Sequence, residues 1–111
     1  MLTWTPKMGV LLKAPGPVSL AQFQQLWEAW PKGDPENTYI NLCLLLRQET
    51  RTKDKYLVTL DLLVDRWRKY LKQQAQLRTK EQFILSLNTF LVKRKFDVPI
   101  AGSTLFNKRF S

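Results

Sequence analysis

In YLVTLDLLVDRWRKYLK, Tyr56 to Lys72, apolar residues return at every third or fourth position: Tyr56, Leu57, Leu60, Leu63, Val64, Trp67, Tyr70 and Leu71. That spacing lays them along one stripe of an α-helix of about five turns. Lys55, Asp61, Asp65, Arg66, Arg68, Lys69 and Lys72 take the remaining surface, and Asp65 and Lys69 are spaced for an ion pair across one turn. A helix with one apolar face needs neighbours to cover it, so the rest of the chain has to supply them.

Upstream, Ser19 followed three positions later by Gln22 is the pattern of a capping box, which satisfies free amide donors at both positions. Leu20, Phe23, Leu26, Trp27 and Trp30 then share a helical face, and Pro31 ends it. Asp34 before Pro35 predicts the next helix start, a side-chain cap followed by a proline whose missing donor costs nothing at the first helical position. From Pro35 to about Glu49, apolar residues including Tyr39, Ile40, Leu42, Cys43 and Leu44 surround most of the circumference, which marks this helix as the most buried. Downstream, Thr79 with Gln82 repeats the capping pattern ahead of Phe83, Ile84, Leu87, Phe90 and Leu91. Residues 1–18 hold Pro6, Pro15 and Pro17 with Gly9 and Gly16, and predict an extended arm. No alternation long enough for a pair of strands occurs. The expected fold is all-α: a compact bundle of four main helices in a domain over 19–98, an extended N-terminal arm over 1–18, and a basic C-terminal tail over 99–111 that packs on the domain through Leu105, Phe106 and Phe110.

With 111 residues, the chain has material for one core. It has no run of about 18 apolar residues and no secretory pattern at its start, which predicts a soluble, cytoplasmic protein without membrane contact. Histidine is absent, which excludes Cys/His zinc sites and Ser-His-Asp or Cys-His catalysis. Asp61 and Asp65 have no third acid at helical spacing, and no phosphate-binding glycine loop is present. The expectation is a protein that is not an enzyme and takes no metal or cofactor. Cys43, the single cysteine, lies inside INLCLLL and reads as a buried small hydrophobe.

The net charge of +9 is unevenly placed. Residues 1–46 hold three cations and three acids, whereas residues 47–111 hold fifteen cations and six acids. Such an excess attracts phosphate polymers. Lys93, Arg94 and Lys95 close the last helical stripe, and Lys108 and Arg109 follow in the tail. Cations in a last helical turn favour the macrodipole, but one would suffice for that, and three adjacent ones point in different directions. They form the first candidate nucleic-acid surface; Arg68 and Lys72, four apart on the longest helix, form a second, although Asp61 and Asp65 on the adjoining turns would repel a phosphate and favour reading it as a solvated face of mixed charge. A reading of another class uses Trp4, Leu11 and Leu12 on the arm as anchors for a protein partner, since tight complexes depend on a few such residues.

Three segments carry a family resemblance. They are F-x-x-L-W-x-A-W-P-K-G from Phe23 to Gly33, W-x-x-Y-L from Trp67 to Leu71, and KEQFILSLNTFLVKRKFD from Lys80 to Asp97. Together they resemble the carboxy-terminal module of phage and prophage replication-initiation proteins of the replisome-organiser or helicase-loader kind, with Trp30 standing where the family usually has tyrosine. The resemblance implies a DNA-transaction role, either by contacting DNA or by recruiting a replication protein. A phage-encoded adaptor or inhibitor that binds a host protein and no nucleic acid is the alternative.

Overall fold

The computed structural model describes residues 2–13, 17–48, 51 and 56–97. The fold is all-α. Its helices are α1 (Pro6–Leu12), α2 (Leu20–Glu28), α3 (Pro35–Arg47), α4 (Leu60–Gln76) and α5 (Leu87–Val92), with single 3-10 turns at Glu81–Phe83 and Lys95–Asp97. The described residues contain no strand, only an isolated antiparallel bridge between Arg51 and Leu57.

Side-chain caps set the starts. Ser19 accepts from the Gln22 amide while Gln22 returns a bond to the Ser19 amide, completing the expected box. Asp34 caps α3 by accepting from the Glu36 amide, with Pro35 in the first turn. The same arrangement, Thr5 before Pro6, starts α1, with the Thr5 hydroxyl accepting from Met8. The region expected to be an extended arm is therefore helical over Pro6–Leu12. Proline at the first position spares the helix any lost hydrogen bond, and Gly9 is tolerated inside so short an element. Nor is this segment separate from the domain, because Met8, Leu12 and Val18 belong to the same buried cluster as Phe23 and Leu42.

The last stripe also differs from expectation. Thr79 and Gln82 form no capping box; instead Lys80 precedes the 3-10 turn Glu81–Phe83, and Ser86 caps a shorter α5 by accepting from Thr89. Phe83, predicted to share the apolar face, is thereby turned outward and is 65% exposed. The longest helix starts at Leu60 behind the Thr59 cap, four residues later than its stripe suggests, and runs to Gln76.

The core is aromatic at its centre. Trp67 lies 5.6 Å from Tyr70 and 5.1 Å from Phe90 between ring centroids, and Phe23 meets Tyr39 edge-on at 5.4 Å. The tyrosine hydroxyls are used: Tyr39 donates to the Val18 carbonyl at 2.7 Å, and the Tyr70 hydroxyl accepts from the Leu85 amide at 2.9 Å, whereas the buried Trp67 indole N–H has no partner among the described residues. Burying each such ring stabilises the fold by about 2–3 kcal/mol before the entropy of ordering it. Burial also pushes the Cys43 thiol above its usual range, because a thiolate there would lose its water.

Candidate nucleic-acid interface

Each cation can be sorted by what it touches. Arg66, grouped with the polar surface from its sequence position, is a core residue at 4% exposure. Its guanidinium donates to the Phe96 carbonyl at 3.1 Å and to the Tyr56 hydroxyl at 2.7 Å, and it lies over the Tyr56 ring. That arrangement ties the chain after α5 to the middle of α4. The signal was present in the spacing, since Arg66 lies three residues after Leu63 and four before Tyr70 and so borders the stripe.

Of the consecutive cations, Arg94 is committed internally. It sits in the left-handed region at φ 52°, where α5 ends, and its Nε donates to Asp97 Oδ2 at 2.9 Å. Its guanidinium covers the Phe96 ring and also donates to the Arg51 carbonyl. Arg94 is thus withdrawn from the surface as a free contact. Lys93 and Lys95 on either side are exposed, and neither has an ion-pair or hydrogen-bond partner for its side chain among the described residues. Lys108 and Arg109 lie outside the described residues.

Arg68 and Lys72 are exposed on α4 and likewise without a side-chain partner among the described residues, whereas Lys69 pairs with Asp65 at 3.2 Å, as the spacing predicts. Arg68 borders a groove with Gln22, Gln25 and Leu26 of α2, while Arg66, two residues earlier, turns towards Phe96 beside Lys95. The two basic sets therefore occupy different flanks of α4 and do not merge.

Three further cations had no role in the sequence reading. Arg78 and Lys80 follow α4, are exposed, and have no side-chain partner among the described residues. Lys32 is different. Its Nζ donates to the carbonyls of Glu81 at 3.2 Å and Ile84 at 2.6 Å, fastening the turn before α5 to the loop between α2 and α3.

The anchors expected on the arm divide. Trp4 is 40% exposed and packs beside Gly9, where an added Cβ would lie 3.6 Å from the indole nitrogen; Leu11 is also exposed. Leu12 is 2% exposed and belongs to the core, so it cannot meet a partner.

Among the described residues no three His, Cys, Asp or Glu gather to hold a metal ion, and no helix is long and apolar enough to cross a membrane. No protein-family model, no curated protein and no solved structure matches the chain.

Proposed function

We propose that this chain is a non-enzymatic helical factor that binds nucleic acid through phosphate contacts, in a DNA transaction of the phage-replication kind its sequence resembles. One observation carries the reading: Arg68, Lys72, Arg78, Lys80, Lys93 and Lys95 are all exposed and unpaired among the described residues. A cation held for stability normally has a carboxylate, a carbonyl or an aromatic face, as Arg66, Arg94 and Lys32 have. Between Arg66 and Lys80 there is no acid, and Arg68, Lys72, Arg78 and Lys80 are exposed there, so a phosphate chain meeting them encounters little repulsion. Replacing Lys93 and Lys95 together by alanine should weaken binding to a labelled oligonucleotide while leaving the melting temperature in place. Undiminished affinity would remove these two residues from the interface.

A second reading has its own support. Trp4, Val10 and Leu11 are exposed together on and beside α1, an apolar surface suited to a protein partner. Its test is a pair of surface substitutions, Trp4→Ser and Leu11→Ser. Deleting the segment would remove Met8 and Leu12 from the core and so could not separate binding from folding.

A further inference from the structure

We propose that the connection Leu77–Phe83, with the groove beside it, binds single-stranded nucleic acid, stacking a base on Phe83 while Arg78 and Lys80 hold the adjoining phosphates. This rests on the nucleic-acid reading above and adds the strand state and the residues that recognise it.

Arg78 gives the first argument. It ends α4 in the left-handed region at φ 55°. The Arg78 amide donates to the Ala75 carbonyl at 3.2 Å and the Thr79 amide to the Gln74 carbonyl at 3.0 Å, the paired bonds of a helix end that favours glycine. Arg94 occupies the corresponding place after α5, and its contacts with Asp97 and Phe96 account for an arginine there. Arg78 makes no such contact among the described residues, so its exposed guanidinium is left available to a ligand outside the fold.

Phe83 gives the second. A phenyl ring 65% exposed on a 3-10 turn contributes little to the core, and Leu77 at the other end of the connection is as open. The turn is nevertheless rigidly placed, because Lys32 is bonded to the carbonyls of Glu81 and Ile84 on either side of it. Beside it lies a groove of about 450 Å³ lined by Trp30, Pro31, Lys32, Glu81 and Gln82, within the size range of small-ligand clefts. An exposed aromatic that closely follows two unpaired cations in the chain and adjoins a groove containing Trp30 and Pro31 has the components that receive unstacked bases. A duplex keeps its base faces covered and could use the cations but not the ring. Glu81 is the one acid of the segment, and its carboxylate opposes a passing phosphate.

The test is fluorescence anisotropy with the full chain and a labelled single strand of about 16 nucleotides, alongside the same sequence as a duplex, at low salt. The single strand should bind more tightly. Phe83→Ala should weaken it about tenfold and leave the duplex nearly unchanged, and Phe83→Trp should restore it. Arg78→Gly should raise the melting temperature while lowering affinity for the single strand, and Glu81→Gln should raise that affinity. Wild-type affinity in Phe83→Ala, or equal competition by polyglutamate, would overturn the proposal. Binding of strand and duplex alike, indifferent to Phe83, would overturn it too, yet leave the phosphate-binding reading standing. Binding of neither would remove both.

Discussion

Arg66 and Lys72 are cations on the same helix with opposite fates. Arg66 fills a gap between α4 and the chain around Phe96, where its fork satisfies a buried carbonyl and the Tyr56 hydroxyl at once. Arg66→Ala should therefore lower stability by about 2–4 kcal/mol, since it leaves a cavity and an unsatisfied carbonyl, and urea denaturation would show it. Arg66→Lys should recover only part of this, because one ammonium cannot reproduce the fork. Lys72→Ala should change stability by less than about 0.5 kcal/mol. The pattern of apolar residues located the stripe of α4 correctly, but it treats a residue at the stripe's border as exposed whenever it is charged. Arg66 is a charged residue at that border and is buried. Cys43 is the converse case, legible as core from its apolar neighbours. Its raised pKa keeps the thiol protonated, so alkylation near pH 8 should be slow in the folded protein and fast once urea unfolds it; rapid labelling of the native state would contradict the buried position.

Among elements, the helices that carry a full local start signal were readable and the shorter ones were not. Ser19 with Gln22 and Asp34 with Pro35 do what their spacing says. Thr5 with Pro6 has the same chemistry, but the prolines and glycines around it favour an extended reading. Only the burial of Met8 and Leu12 against the other helices makes seven residues of α1 worth folding. Near α5 two start signals compete, Thr79 with Gln82 and Ser86 with Thr89. The later one forms because Leu87, Phe90 and Leu91 reach the core while Lys32 holds the preceding turn in place. Ser86→Ala should cost about 1 kcal/mol in chemical denaturation, a large effect for a helix of six residues. Gly33 lies at φ 93° in the turn before α3, and a Cβ added there would make an ordinary contact with Ser86 at 3.7 Å and no clash. Gly33→Ala should thus destabilise by about 1 kcal/mol through backbone strain alone.

At the scale of the whole molecule, the sequence made the class legible, all-α with α4 as its longest helix, and the basic imbalance of the later part. Which cations are available for binding depends on tertiary contacts that no spacing rule contains. Arg94 is consumed by Asp97, Phe96 and Arg51, while Arg78 and Lys80 emerge as free surface only because the helix after them starts late. Binding rests on those unpaired cations, which meet a polyanion from two separate flanks of α4. The most direct test is the affinity of the full chain for a single-stranded oligonucleotide measured across a salt series from about 50 to 200 mM. The logarithm of the association constant should fall linearly with the logarithm of salt, by about 0.7 per phosphate contact, and the slope should shrink by about 1.4 when Lys93 and Lys95 are both alanine. Binding that ignores salt, or no binding at about 50 mM, would contradict the account.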